Sequence, residues 1–486
     1  MAGESLGLSF KTKFAYGIAG IGDATFYTLI GTFLLFYLNT VVGINPAVAG
    51  TIAAVGAIWE TLCGGIAGYL SDKTRTRFGR RKPFLLFAAF PLAVFTSLLF
   101  TTIDASQSFR VFYYALMLIL FWTAYACFFV PYHAWGAELT GDYDERTVLR
   151  GYAYVFNTFG LAFGMVLPTI IVDFLMGLGA ERSQGWQSVG ILCGFIGFIT
   201  ILTGALLIKD KDEISFRQGN SLQIAGRKKI GNHDLDLSKV AAMLKEYKQV
   251  LKLKSTRYVI GASITYLIGY SIFCADRIYF FTFNMGLTAG EITVAMAILT
   301  FASVAFVPAV SIANKRHDKR TIYISGMSLC CLVMFSFRFI GFGSLFLFVI
   351  FVLAYSIGSI CYWQLIPAMI YDVCEVDELV NNKKRAGVVI SLQSLSESGS
   401  NALGLQITGL LLEFSGFDAE SLTQTETALR WTANSFSMIP AIFMLISVLM
   451  ILLYPVTKKN FNKVVLAIKQ REAGYEADLS QFKKLI

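Results

Sequence analysis

The chain has 486 residues, of which 55% are hydrophobic and only 15% charged, with a mean hydropathy of +0.61 and a formal net charge of +9. A soluble chain carries nearer a quarter of its residues as charges, so a soluble enzyme or binding domain is excluded and the sequence reads as an integral membrane protein. The positive balance does not call for nucleic acid, because the bases fall in short connections between apolar runs, where orientation in the membrane accounts for them.

The first residues, MAGESLGLSFKTK, are polar and lack the apolar core and cleavage site of a signal peptide, so the first span is expected to do the targeting. Apolar runs long enough to cross about 30 Å of hydrocarbon as helices then recur along the sequence. They predict twelve spans, at 14–39, 47–71, 84–103, 111–139, 149–177, 187–208, 256–284, 290–313, 321–340, 343–371, 386–414 and 433–455. The connections after spans 1, 7 and 9 carry almost no charge. Those after even-numbered spans hold the bases: 72–83, Arg146 with Arg150, 315–320, and Lys383 to Arg385. By the positive-inside bias these loops and both termini are expected in the cytoplasm.

The longest polar stretch, 209–255, divides the chain after the sixth span and ends in an amphipathic pattern, DLSKVAAMLKEYKQVLKLK. The expected organisation is a six-helix half at 1–208, a cytoplasmic linker at 209–255, a second half at 256–455 and a tail at 456–486, helical near 460–472. The halves echo one another. Span 4 leaves the membrane as PYHAWGAELTGDYDERTVLR and span 10 as PAMIYDVCEVDELVNNKKR, each a proline, then acids, then a base. Two six-span halves repeated in parallel point to alternating access around a site between them.

Acids at membrane depth are costly and mark function. Counting about 1.5 Å per residue along each span puts Asp23, Glu60 and Glu397 near mid-membrane. Glu60 is read as the coupling site; Asp23 and Glu397 are read as partners of solute hydroxyls. His133, near the inner end of span 4, can change charge near neutral pH and joins the coupling group. Aromatic rings can stack on a sugar face, and Tyr132 and Trp363 are the candidates, with Gln364 beside the latter. Asp276 and Arg277, far along span 7, read as an interface pair or an outer gate. The eight cysteines lack metal-ligand spacing and behave as small apolar residues. The three histidines lie far apart, so no metal site or cofactor and no enzyme chemistry is expected. The soluble segments are also too short for a receptor's signalling domain.

Gly68, Asp72, Gly79, Arg80 and Arg81 give the loop after span 2 a resemblance to the major facilitator superfamily. Thr12, Lys13, Tyr16 and Gly17, the Ile58-Trp59-Glu60 run, and TRTRFGRRKP at 74–83 narrow it. With the charged segments after spans 4 and 10, the chain is similar to the glycoside–pentoside–hexuronide:cation symporters of the melibiose permease type along essentially its whole length. The resemblance implies an all-α integral membrane fold of twelve transmembrane helices in two pseudo-symmetric six-helix halves. It implies symport of a sugar, glycoside or uronide with a cation, in a cell (inner or plasma) membrane. An amphipathic cargo such as a lysophospholipid, or uncoupled uniport, is the alternative. Trp363, Gln393 and Ser394 match sugar-contacting positions. The family's span 4 Asp, span 5 Arg and span 11 Lys are matched by Phe129, Tyr154 and Ser398, which argues against a galactoside. The family's sodium-binding acid pair falls on Glu60 and Gly64, with Cys63 and Ala126 nearby. One carboxylate without oxygen neighbours fits a proton better than sodium, which needs several oxygens. Gly68, Asp72, Arg80, Arg81, Glu138, Asp142, Arg146, Asp372 and Arg385 are the expected cytoplasmic gate. The expected partners are a small solute and the lipid bilayer, and a monomer suffices because two halves complete a pathway.

Overall fold

A computed structural model describes residues 8–74, 76, 78–139, 143–208, 245–341, 345–382, 385–418, 421, 423–472 and 479–482. Span 1 is the helix Phe10–Thr40, span 2 Pro46–Lys73, span 3 Lys82–Leu99 and span 4 Gln107–Leu139. Span 5 is Tyr143–Met165 continued by Leu167–Gly177, and span 6 is Arg182–Leu207. Span 7 is Lys254–Tyr279 closed by a π-helical turn, Phe280–Asn284; span 8 is Ala289–Ala305 followed by Val307–Arg316. Spans 9, 10 and 11 are Lys319–Ile340, Leu345–Asn381 and Ala386–Phe414. Span 12 is Glu426–Ala433, a π-helical turn at Asn434–Met438 and Ile439–Leu453.

Among the described residues, eleven of these are long and apolar enough to cross a membrane. Span 11, a 29-residue helix, falls outside that set because its middle is polar, with Gln393, Ser394, Ser396, Glu397, Ser398, Ser400 and Asn401.

Proline marks the interruptions. The breaks in spans 5 and 8 fall just ahead of Pro168 and Pro308, which sit in the first turn of the following helix, where a missing N–H costs nothing. Pro131 and Pro367 act differently. Both lie inside unbroken helices, as in the expected spans 111–139 and 343–371, and span 10 runs ten residues past its expected end at 371. Inside a helix bundle, neighbouring groups take up the backbone partner that proline frees, so the helix continues. The tail after 456 is helical over Lys458–Glu472. Most of the linker, including the start of its amphipathic pattern, lies outside the described residues.

The chain forms two compact units, taken over their described residues: Met1–Ile230 with Phe281–Ala297 and Gly409–Ala428, and Gly231–Phe280 with Ile298–Thr408 and Leu429–Ile486. In the first, span 1 packs on spans 5 and 6, span 2 on span 4, and span 3 on spans 4 and 6. Small residues set the spacing between spans 1 and 5: a β-carbon on Gly164 would sit 2.6 Å from the Thr25 carbonyl oxygen, and one on Gly160 would clash with the Ile21 carbonyl. Thr25 Oγ1 donates to the Gly160 carbonyl at 3.1 Å across this contact. The two later stretches join this unit through Thr169 Oγ1 and Thr293 Oγ1, 2.6 Å apart, and through the close approach of Gly409 to Pro46 and Gly50.

In the second unit span 7 packs on spans 12 and 10, and span 9 on spans 10 and 12. Ser447 ties three of them, pairing with the Tyr323 hydroxyl at 2.6 Å and donating to the Ala262 carbonyl at 2.8 Å.

Candidate functional site

Asp23 is the centre of a polar cluster within the first unit. Its carboxyl is buried on span 1 and accepts a hydrogen bond from the Tyr125 hydroxyl of span 4 at 2.7 Å. Asn157 Nδ2 of span 5 approaches the other oxygen at 3.5 Å, and His133 Nε2 lies 3.6 Å from it. Three spans therefore meet on one carboxylate. The sequence places His133 near the inner end of span 4 and Asp23 at mid-depth. They meet across neighbouring helices, span 4 running unbroken past Pro131 to Leu139. The His133 ring also packs edge-on against Phe129, centroids 4.4 Å apart.

Glu60 is half-buried on span 2, and its charge and that of Asp23 act on one another. Trp59 Nε1 donates to Thr123 Oγ1 at 2.9 Å, and that hydroxyl donates in turn to the Ile119 carbonyl at 2.8 Å. Cys63, Ala67 and Ala126 form a buried apolar cluster with Cys127 against it. At Gly64, where the resemblance implies a second acid, a β-carbon would meet only Val130, at 3.7 Å. Tyr132 is buried and stacked on Tyr16 at 4.7 Å, its hydroxyl donating to the Tyr16 carbonyl at 2.9 Å.

The second unit carries its own chain of polar contacts. Gln393 Nε2 donates to Glu397 Oε1 at 2.8 Å and to Ser263 Oγ at 2.7 Å, and Ser263 pairs with the Tyr362 hydroxyl at 2.7 Å. Tyr362 stacks on Tyr266 at 3.8 Å, and Trp363, half-exposed, packs edge-on against Tyr362 and Tyr270. Gln364 Nε2 donates to Ser311 Oγ at 2.5 Å. Ser394 is exposed on span 11. Asp276 is wholly buried, with neither carboxyl oxygen hydrogen-bonded among the described residues.

At the ends bearing the basic loops, Arg81 donates to Ser71 Oγ and Lys82 Nζ to the Ile208 carbonyl at 3.0 Å. Gly68 faces Val130, and Arg80 is half-buried. Asp142 and the side chains of Asp72, Glu138 and Arg146 lie outside the described residues. Asp372 and Arg385, expected in the cytoplasmic gate, each pair within the second unit. Asp372 binds Lys319 Nζ through both oxygens at 2.8 Å. Arg385 forks onto Asp377 at 2.7 and 3.0 Å and reaches Gln249 at 2.8 Å, and the Asp377 carboxylate pushes the guanidinium further up from its ordinary value.

Asn157, Ser263, Tyr362 and Asp377 were not read as functional from the sequence. Asn157 did carry a signal, as an amide inside an apolar span. Asp377 did not: it meets Arg385, eight positions on, because Asn382 turns the chain back with φ of 53°.

Twelve helical spans among the described residues, with carboxylates held inside each of the two units by hydroxyl, amide or imidazole groups, are the build of a secondary transporter. Residues 15–458 match the MFS/sugar transport protein family, and the chain belongs to it. It is thus a multi-pass membrane transporter and not an enzyme. Its relatives include a glucuronide carrier protein homolog of Escherichia coli, 24% identical over 96% of each chain. They also include a sodium-dependent lysophosphatidylcholine symporter of Gallus gallus, 22% identical over 97% of this chain and 92% of the relative. Among solved structures, the xylose transporter of E. coli in a partially occluded, inward-open conformation has the same fold, with a TM-score of 0.60 at 16% identity over 93% of this chain and 98% of the other.

Proposed function

We propose that the protein is a secondary active symporter that moves a sugar, glycoside or uronide by alternating access together with a cation, a proton in preference to sodium. The observation that carries this is the setting of Glu60. It lies within electrostatic reach of Asp23, and one turn further along span 2 stand Cys63 and Gly64, with no second acid where the sodium pair of the resemblance would need one. Sodium, like other hard cations, is held by several oxygens, whereas a single carboxyl at membrane depth can take up and release a proton as water access alternates. Glu60 and His133 then couple to the proton. Asp23, Trp363, Gln364, Gln393, Ser394, Glu397 and Tyr132 serve the solute. The charged groups after spans 2, 4 and 10 serve the gate, and both termini face the cytoplasm of a cell membrane.

The test is uptake into proteoliposomes under an imposed pH gradient or an imposed sodium gradient. The wild type should accumulate solute with the pH gradient alone, and Glu60→Gln should lose accumulation while keeping solute exchange. Accumulation driven solely by sodium, or full pH-driven accumulation by Glu60→Gln, refutes the coupling. The chicken relative favours a second reading, a lysophospholipid cargo, and labelled lysophosphatidylcholine in the same assay decides between them.

A further inference from the structure

We infer that this carrier selects against anionic sugars, so that its cargo is a neutral or amino-bearing glycoside rather than a uronide. This rests on the sugar reading above and adds the charge of the cargo. The first ground is the sign of the charges at mid-span. No Lys or Arg occurs from Phe14 to Asp72, from Pro83 to Ser108, from Val111 to Glu145 or from Gly151 to Glu181. In the second half, Arg338 sits in the last turn of span 9, and Arg277 lies 14 residues beyond Ser263 on span 7, about 21 Å along the helix. Arg257 is in the first turn of span 7 at its other end. Near mid-span stand Asp23 and Glu60 in the first unit and Glu397 in the second. Ionised, these repel a carboxylate; protonated, they are neutral. In neither state do they balance a uronate. His133 is the one group there that can become positive, and Asp23 lies 3.6 Å from its Nε2 to take up that charge.

The second ground is independent of charge. Gln393 is 7% exposed and spends both amide hydrogens, on Ser263 and Glu397, which leaves a buried Oε1 with no donor among the described residues. Gln364 donates to Ser311, and its buried Oε1 has no donor among the described residues. A buried acceptor left without a donor is costly. A hydroxyl or ammonium of the solute satisfies it, and a carboxylate does not.

The experiment compares matched ring sets in proteoliposomes of the full chain under a pH gradient. For glucose, galactose and xylose configurations it measures uptake of the labelled methyl glycoside, and for the two hexoses also the amino sugar and the uronate. In the best-transported hexose set the uronate should enter about tenfold or more slowly than the methyl glycoside, the scale expected of an uncompensated like charge in a low-dielectric site. Asp23→Asn, which releases His133 from its partner, should raise the uronate-to-glycoside ratio. Uronate uptake equal to or above that of the neutral glycoside overturns the inference and leaves the symporter reading standing. Absence of uptake in every set overturns the sugar reading and the inference with it. If the Asp23 variant does not fold, the wild-type comparison still decides.

Discussion

Removing the Tyr125 hydroxyl tests whether the Asp23 cluster is held as described. In Tyr125→Phe the buried carboxylate loses a 2.7 Å donor. Its other neighbours, Asn157 at 3.5 Å and His133 at 3.6 Å, stand too far off to replace it without movement. A hydrogen bond to an ionised group contributes about 1.5–3 kcal/mol in folded proteins, while neutral pairs between membrane helices average about 0.6. With a buried carboxyl as the acceptor, the coupling should lie near 1.5 kcal/mol, roughly a tenfold change in the folding equilibrium. The assay is a double-mutant cycle, Tyr125→Phe with Asp23→Asn, in reversible unfolding by sodium dodecyl sulfate in mixed micelles. A coupling energy below about 0.5 kcal/mol, the scatter of independent sites, would refute the cluster as a unit.

Two further predictions concern stability. Arg385→Ala leaves Asp377, 1% exposed, with Asn381 as its remaining donor at 2.8 Å, and should cost about 3 kcal/mol and lower the melting temperature in detergent. Arg385→Lys should recover only part, since an ammonium cannot fork onto both oxygens; an unshifted melting point in the alanine variant would contradict the pairing. Gly164→Val forces a side chain against the Thr25 carbonyl and should cost about 1–3 kcal/mol, whereas Gly65→Ala, with no heavy atom within 4 Å of the added carbon, should be neutral or stabilising in thermal melts. Equal melting points for these two glycine variants would show that spans 1 and 5 are not in the contact described.

The twelve spans were legible because the bilayer imposes one period and one length on every crossing helix, and the acids stood out because hydrocarbon penalises them. Span 11 shows the limit of that signal: its polar middle lowers its hydropathy, yet it forms one continuous helix. Span 10 shows another limit: the apolar run ends at 371, yet the helix continues to Asn381.

Glu60, Asp23 and Glu397 could therefore be named from sequence, as could the family, from the loop after span 2. What each acid touches could not. Tyr125, His133 and Asn157 converge on Asp23 from positions 102 to 134 residues away in the chain. No periodicity within one helix records which face of another it meets. Asp372 and Arg385 make the same point: their charges were plain, but their partners Lys319 and Asp377 follow from helix packing and from a left-handed turn at Asn382. Sequence alone determined the elements and the chemistry they carry, because length and solvation act on each segment separately. Only the tertiary structure decided the pairings, because they depend on how separate helices are rotated and set in depth against one another.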